Sequence, residues 1–439
     1  MKNLTYTLTD IEAANAPNTD PAESYVRPLG SFEHLLWLLD QASPRHFSLA
    51  AQIEGPTTVG DWRVALDHVQ RRHPFFSVSI EKDRNSNPQF RQVLDKPIPL
   101  RVARVGASQP DWLTELQREV ATPFDPELAP LVRAVLMHEP HRATLILTAH
   151  HSIADGLSLT FAIRDTLLAL SGNPRDPLLV TPSIESMLDS ADSSPIELAS
   201  TSEGNRIEET RPSVFRSQHG LMPSVRGLSL SAELTVKLRK RAQQEETTVH
   251  GALCAALVLA GRQAIGEWED KPVRVLSPID IRKLLGIGDH CGLFISAAPV
   301  SFKPNGETAF WELARFAKRQ LVGAQTGDGA TSAILAIQQA VSKGLGVEAA
   351  MQLAAHGFAY EAMVSNLGNL RFETSFGEFK LKALWGPAIG GSFEGGRTIG
   401  VVTVNETLHL LHISYAPVPF LLERIEKVLL AACEIAERS

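Results

Sequence analysis

The stretch His150-His151-Ser152-Ile153-Ala154-Asp155-Gly156 places two imidazoles, one carboxylate and one glycine within seven residues. The apolar run before it, 143–149, predicts a strand, and the amphipathic segment after it, 157–170, predicts a helix. Histidine is the side chain best suited to proton transfer near neutral pH. A histidine at the end of a strand is held by the sheet while its ring can face a cleft. The stretch therefore predicts a catalytic strand–loop–helix unit.

The composition limits the classes of protein and partner. The chain has 439 residues, 44% of them hydrophobic and 21% charged, which is typical of a globular protein with two lobes. A net charge of −7 favours neither nucleic acid nor an anionic membrane as a partner. No apolar run approaches the ~20 residues that span a bilayer, and the first thirty residues lack a signal-peptide pattern.

The number and spacing of the cysteines indicate whether the protein works in a reducing or an oxidising compartment. Cys254, Cys291 and Cys433 lie far apart in sequence and offer neither a disulfide framework nor a metal-ligand spacing. A reducing environment is consistent with this usage. We therefore expect a cytoplasmic protein.

Changes in local composition along the chain predict four segments. Residues between the two halves are rich in Pro, Ser, Asp and Glu and poor in aromatic side chains, as is typical of a linker. Strand-like and helix-like segments alternate on either side of it. We therefore expect an N-terminal arm at 1–24, an N-terminal lobe at 25–175 that carries the motif, a linker or crossover at 176–223, and a C-terminal lobe at 224–439.

Two further predictions concern the C-terminal half. Residues 398–404 and 407–415 read as a hairpin that turns at Asn405-Glu406. The glycine-rich stretch 386–396 lacks the strand and helix context of a nucleotide fingerprint, and we expect it to be a flexible loop near the cleft.

The motif suits one chemistry better than others. A thioester carbonyl is already activated, so its transfer to a hydroxyl or amine needs only proton removal and stabilisation of the carbonyl oxygen. One histidine and a few hydrogen-bond donors suffice. His151 and Asp155 have metal-like spacing, but no third ligand fits, so no metal is expected. Ser152 lacks the Gly-x-Ser-x-Gly context of a nucleophile.

The chain resembles the condensation-domain superfamily. That group includes nonribosomal-peptide condensation domains, chloramphenicol acetyltransferase-like enzymes, polyketide-associated acyltransferases and alcohol acetyltransferases. Its signature is His-His-x-x-x-Asp-Gly, and residues 150–156 carry every fixed position. The resemblance extends over residues 28–430 through further elements in the family's order: Arg71-Arg72-His73-Pro74-Phe75, Pro123-Phe124-Asp125, Pro130-Leu131-Val132-Arg133, Pro278-Ile279-Asp280-Ile281-Arg282, Gly292-Leu293-Phe294-Ile295-Ser296 and Ser365-Asn366-Leu367-Gly368.

The resemblance implies a fold and its ligands. The fold is α/β, with two chloramphenicol-acetyltransferase-like lobes in a V, each a mixed β-sheet with helices, and an active-site tunnel at the lobe interface. No cofactor is bound permanently, because acyl-CoA or the phosphopantetheine thioester of an acyl or peptidyl carrier protein is the co-substrate. The acceptor is a small alcohol or amine, and we expect a monomer.

The resemblance also assigns residues. His151 resembles the general base, and His150 a supporting residue. Asp155 resembles a structural aspartate that pairs with Arg282, although an orienting role beside His151 stays open. The Gly156 N–H, at the positive end of a helix, is a candidate donor to an oxyanion. Asn366 is a candidate donor to the substrate carbonyl, and its alternative is a plain turn former.

These assignments favour a stand-alone acyltransferase that makes an ester by direct attack, without an acyl-enzyme. One alternative is a free-standing condensation enzyme that forms an amide or ester between carrier-bound units. Another is a non-catalytic module that recruits a carrier protein, against which the presence of His150 and His151 argues. The sequence does not predict the acyl chain, the acceptor or the pathway.

Overall fold

The structure is a computed structural model that describes residues 25–434, apart from 107, 108, 110, 192–213, 305–308 and 371. The predicted N-terminal arm and residues 192–213 of the predicted linker lie outside the described residues. Among the described residues, no helix is both long and apolar enough to cross a membrane.

The first half of the chain alternates short strands with helices around a central pair of long strands. Its elements are β1 (Tyr25–Pro28), α1 (Ser31–Ala42), β2 (His46–Glu54), α2 (Val59–Arg72), β3 (Val78–Lys82), β4 (Pro88–Gln92), β5 (Leu100–Ala103), α3 (Trp112–Ala121), β6 (Val132–Glu139), β7 (Arg142–His150), α4 (Gly156–Leu170) and α5 (Ile184–Ala191). The strand predicted at 143–149 and the helix predicted at 157–170 are confirmed as β7 and α4. Helix α5 lies in the segment expected to be a linker.

The second half has the same mixture of elements. They are β8 (Ser224–Leu230), α6 (Ala232–Gln244), α7 (Val249–Arg262), α8 (Glu267–Asp270), β9 (Val273–Asp280), α9 (Arg282–Leu285), β10 (Ile295–Phe302), α10 (Phe310–Val322), α11 (Gly327–Ser342), α12 (Val347–Gly357), β11 (Ala362–Asn369), β12 (Ser375–Phe376), β13 (Phe379–Ile389), β14 (Arg397–Val404), β15 (Thr407–Ser414) and α13 (Leu421–Glu434).

The chain forms two six-stranded sheets, one in each lobe. The N-terminal sheet has the order β12-β13-β2-β7-β6-β5, and the C-terminal sheet the order β10-β9-β11-β14-β15-β8. Both are mixed, since β5 runs parallel to β6, and β11 runs parallel to β9 and β14. The prediction of two mixed α/β lobes is confirmed. A third, three-stranded sheet, β1-β4-β3, lies beside them.

The hairpin predicted in the C-terminal half is confirmed. Strands β14 and β15 pair antiparallel, with Val404 opposite Thr407. Asn405 and Glu406 between them both have positive φ, 48° and 62°. A two-residue hairpin turn of type I′ requires positive φ at both positions.

The predicted boundary between the lobes is wrong for β12 and β13. We expected all of 224–439 in the C-terminal lobe, but β13 pairs antiparallel with β2, where Leu381 lies opposite Ile53. It thus extends the N-terminal sheet and covers the edge that β2 would otherwise expose. The predicted flexible loop at 386–396 is also too long, because β13 continues to Ile389. The glycines in this stretch concealed the end of the strand.

Glycine at position 400 lets the two sheets approach where β13 crosses β14. A Cβ atom on Gly400 would lie 2.4 Å from the Pro387 carbonyl oxygen and 2.6 Å from the Gly386 carbonyl carbon. Real Cβ atoms do not tolerate such contacts with backbone. Next to this crossing, an apolar cluster joins the sheets, and it includes Ala50, Val135, Ile146, Val225, Trp385, Leu411 and Ile413.

A buried ion pair connects the lobes. Arg282, at the start of α9, donates from Nη1 to Asp155 Oδ2 and from Nη2 to Asp155 Oδ1, both at 2.8 Å. The two side chains are 5% and 1% exposed. The Ser158 N–H donates to Oδ1 and the Phe294 N–H to Oδ2, each at 2.9 Å. Burial acts to raise the pKa of Asp155, but the Arg282 charge and these hydrogen bonds outweigh burial and lower it.

Asp155→Asn should lower the free energy of unfolding by about 3–5 kcal/mol, because it leaves the buried Arg282 charge without its partner. Urea denaturation followed by circular dichroism measures this. The matched control is Asp280→Asn. Asp280 lies 3.2 Å from the same guanidinium but is 24% exposed, so its loss should cost less than about 1 kcal/mol. Equal losses would contradict a special role for the buried pair.

Gly400→Ala should lower the free energy of unfolding by about 1–3 kcal/mol, since the added methyl forces β13 and β14 apart. Differential scanning calorimetry measures the change. Gly323→Ala is the control, because Gly323 has helical φ and ψ of −61° and −40° and open space around its Cβ position. The melting temperature of that variant should equal or slightly exceed the wild-type value. An unchanged melting temperature for Gly400→Ala would refute the close crossing.

Candidate active site

The motif lies where β7 ends and α4 begins. The His151 N–H donates to the Arg45 carbonyl at 2.8 Å and the Ile153 N–H to the His150 carbonyl at 3.1 Å, which turns the chain tightly. Asp155 has extended φ and ψ and caps α4 by accepting from the Ser158 N–H. An aspartate at this position satisfies one of the free N–H groups of the first turn. The carboxylate that ends the loop is thus also the one that pairs with Arg282.

His151 presents a single free ring nitrogen. Its Nδ1 lies 3.0 Å from the Ala154 carbonyl, and a carbonyl only accepts, so Nδ1 carries the proton. Nε2 therefore keeps its lone pair. Burial lowers the pKa of His151 to about 4, against smaller opposing effects that include the Asp155 charge and the hydrogen bond to Ala154. The half-buried ring lies 4.8 Å from the Phe47 ring and is neutral at physiological pH.

His150 has a different environment. It is fully buried and lies opposite His46 in the β2–β7 register. Its Nδ1 accepts from the Ser152 N–H at 3.2 Å, and its Nε2 lies 3.4 Å from Asp40 Oδ2. Burial acts to raise the pKa of Asp40, but the interaction with His150 and further hydrogen bonding lower it overall. His150 thus connects the motif to α1 rather than to a cavity.

Gly156, the first residue of α4, is in close contact with two other segments. A Cβ atom there would lie 2.6 Å from Leu367 Cδ2 and 3.1 Å from Pro387 Cγ. A side chain at this position would displace both residues. Glycine therefore lets the start of the helix reach β11 and β13.

Asn366 lies near the end of β11 and closes a local turn. Its Oδ1 accepts from the Gly368 N–H at 2.8 Å, and Gly368 has a φ of 72°. The turn uses the amide oxygen and leaves the Nδ2 group available to donate. The structure thus contains the turn described by the simpler alternative and keeps a donor beside it.

One cavity of about 210 Å³ brings the predicted residues together. His151, Asp155, Gly156, Arg282 and Asn366 all line it, and His150 does not. Sequence reasoning missed Phe47, Pro387 and Ile389, which no motif marks and which come from the paired strands β2 and β13. The remaining apolar wall includes Leu157 and three residues of the quoted family elements, Pro278, Ile295 and Leu367.

A second cavity, of about 330 Å³, lies between α3 and the ends of β8 and β15. Asp111, Arg226 and Tyr415 are among the residues that line it, and none of the predicted site residues does. Over the described ranges, no group of three or more His, Cys, Asp or Glu side chains is arranged to hold a metal ion. The smaller cavity is therefore the candidate active site.

Family models match both lobes. The model described as a condensation domain matches residues 37–178, and the model of the phthiocerol/phthiodiolone dimycocerosyl transferase C-terminus matches residues 219–374. Phosphinothricin tripeptide synthetase PhsC of Streptomyces viridochromogenes is 31% identical over 170 residues, which are 35% of this chain and 16% of that protein. Surfactin synthase subunit 2 of Bacillus subtilis is 27% identical over 150 residues, which are 33% of this chain and 4% of that protein. The chain thus spans a small part of the length of these relatives.

Solved structures share the whole fold. Polyketide synthase associated protein 5 from Mycobacterium tuberculosis superposes with a TM-score of 0.63 at 16% identity, covering 94% of this chain and 100% of that one. The first condensation domain of the CDA synthetase superposes with a TM-score of 0.64 at 17% identity, covering 93% of this chain and 96% of that one. These matches confirm the predicted chloramphenicol-acetyltransferase-like architecture. The N-terminal lobe thus matches the condensation-domain model and the C-terminal lobe the PapA-type transferase model, so the chain is similar to condensation domains and PapA-like acyltransferases.

Proposed function

We propose that this protein transfers an acyl group from a thioester to a hydroxyl group, with His151 as the general base. The observation that carries the proposal is the free Nε2 of a neutral His151 on the wall of a cavity. The hydrogen bond from Nδ1 to Ala154 holds the ring in the tautomer that accepts a proton at Nε2. A base must be unprotonated and within reach of the acceptor, and this arrangement supplies the first condition before any substrate binds.

The reaction needs one proton relay. Nε2 takes the proton of the acceptor hydroxyl as its oxygen attacks the thioester carbonyl, which forms the new C–O bond. The tetrahedral intermediate then collapses, the C–S bond breaks, and the proton passes from His151 to the departing sulfur. An ester and a free thiol result, and no acyl-enzyme is formed.

The negative charge on the carbonyl oxygen of the intermediate needs donors. Gly156 and Leu157 are the first residues of α4 and line the cavity. The first N–H groups of a helix have no acceptor within the helix, and the helix dipole favours an anion there. The Nδ2 group of Asn366 is a second donor on the same cavity. We propose these groups as the oxyanion site.

The family matches support the substrate classes. Thioesters of carrier proteins are the substrates of condensation domains, and a CoA thioester presents the same phosphopantetheine arm. The match to the C-terminus of phthiocerol/phthiodiolone dimycocerosyl transferases supports a hydroxyl acceptor. The alternative product is an amide. Comparing amine acceptors with hydroxyl acceptors of matched size tests which product the protein forms.

His151→Ala should lower the rate of thiol release from acyl-CoA or acyl carrier protein in the presence of an acceptor by about 10²-fold or more, as loss of a general base does. The matched control is His356→Ala, which removes an exposed histidine on α12 whose Nδ1 contacts the Gln352 carbonyl. The control should keep the wild-type rate. A near-normal rate for folded His151→Ala would remove this residue from the base role.

The pH profile should report the pKa of His151. Protonation of Nε2 abolishes the base, so activity should fall only as the pH approaches the pKa of about 4. We therefore expect kcat/KM for a hydroxyl acceptor to be constant from pH 8 down to about 5. A half-maximal point near 6.5, the ordinary value for histidine, would show that burial does not depress this pKa.

A further inference from the structure

Arg282 lies between two carboxylates that are not equivalent. Asp155 accepts hydrogen bonds from both terminal nitrogens of the Arg282 guanidinium at 2.8 Å, and its side chain is 1% exposed. Asp280 contacts Nη1 at 3.2 Å with Oδ1 alone and is 24% exposed. Within the part of the chain that the structure describes, Oδ2 of Asp280 has no hydrogen-bond partner. One carboxylate is thus fully paired, and the other keeps a free oxygen.

The free oxygen belongs to a residue of the candidate active site. Asp280 ends β9, where it lies opposite Ile295 of β10, and both residues line the cavity with His151. The ionisable residues on this cavity are His151, Asp155, Asp280 and Arg282. Asp155 and Arg282 compensate each other, and His151 is neutral. The cavity therefore carries one uncompensated negative charge on a largely apolar wall.

The contacts within the fold use only one oxygen of this carboxylate. Among the described residues, the Asp280 side chain accepts from Arg282 Nη1 and from the Arg282 N–H, both at Oδ1 and both at 3.2 Å. An asparagine oxygen would accept the hydrogen bond from the N–H equally well. Since Asp155 already neutralises Arg282, a second carboxylate adds desolvation cost without a matching cation. A ligand with positive charge would supply the missing partner.

We infer that Asp280 selects the acceptor, and that the acceptor is a hydroxyl compound carrying an ammonium group. This inference rests on the proposed function, because it names the acceptor of the same cavity. The donor is a poor candidate for the charge, since the phosphopantetheine arm is uncharged beside its thioester. Asp280 acts as a specificity-determining residue that orients the hydroxyl toward His151, and it takes no part in proton transfer. An acceptor with a carboxylate should be disfavoured for the same reason.

The test compares two hydroxyl acceptors of the same shape. Choline and 3,3-dimethylbutan-1-ol differ by a quaternary nitrogen in place of a carbon. With acetyl-, octanoyl- and palmitoyl-CoA as donors, thiol release and product mass yield kcat/KM for each acceptor. We expect the wild type to prefer choline by about tenfold or more, chiefly through KM, as a charge pair in a partly dry site provides. Glycolate, which carries a carboxylate, should be the poorest acceptor.

Variants separate charge from fold. Asp280→Asn keeps the hydrogen bond to Arg282 and should bring the ratio of the two kcat/KM values close to one. Asp280→Glu keeps the charge and should retain part of the preference. Asp289→Asn is the matched control, because that carboxylate contacts Arg164 and Arg175 away from the cavity. It should keep the wild-type ratio.

The outcomes distinguish this inference from the proposal on which it rests. Acylation of both alcohols at equal kcat/KM, lost in His151→Ala, would overturn the role of Asp280 and leave the acyl transfer standing. A choline preference that survives Asp280→Asn would also overturn it. Failure of every donor to acylate any of the alcohols would overturn both.

Discussion

The position of the candidate active site depends on the buried pair of Asp155 and Arg282. Each of these charges, if left alone at 1% or 5% exposure, would be costly, so the lobes cannot shift here without losing free energy. Asp155 is also the residue that caps α4, and its carboxylate accepts the Phe294 N–H from the other lobe. One carboxylate thus fixes the start of the helix, the end of the motif loop and the contact between the halves.

The two histidines of the motif show how neighbouring residues acquire different chemistry. His150 ends a strand between packed elements, and its ring nitrogens face Ser152 and Asp40. His151 is the next residue, already in the loop, and its ring faces the cavity. The hydrogen bond to Ala154 sets its tautomer, and burial sets its pKa. The tautomer leaves Nε2 free to accept a proton, and the lowered pKa keeps the ring neutral at physiological pH. Both properties come from surroundings outside the ring itself.

The cavity is assembled from segments far apart in the chain. Strand β13 belongs to the second half but completes the N-terminal sheet, and it brings Pro387 and Ile389 to the wall. Gly156 and Gly400 permit this approach. A side chain at Gly156 would collide with Leu367 of β11 and crowd Pro387 of β13, and a side chain at Gly400 would collide with the backbone of β13. The same assembly places Asp280 beside His151. The resulting wall combines apolar side chains with His151, the Asp155–Arg282 pair, Asn366 and the carboxylate of Asp280.

The sequence by itself determined the parts that local patterns encode. The apolar run before His150, the amphipathic segment after Gly156 and the turn at Asn405-Glu406 depend on side-chain alternation and on turn conformations within a few residues. The resemblance to the family marked His151 and Asp155 through the motif at 150–156 and Arg282 through the separate element at 278–282. Only the tertiary structure decided that β13 pairs with β2, since strand pairing over more than three hundred residues leaves no local signal. It also decided the pKa of His151 and the free Oδ2 of Asp280, because burial and the competition for Arg282 depend on atoms that the fold brings together.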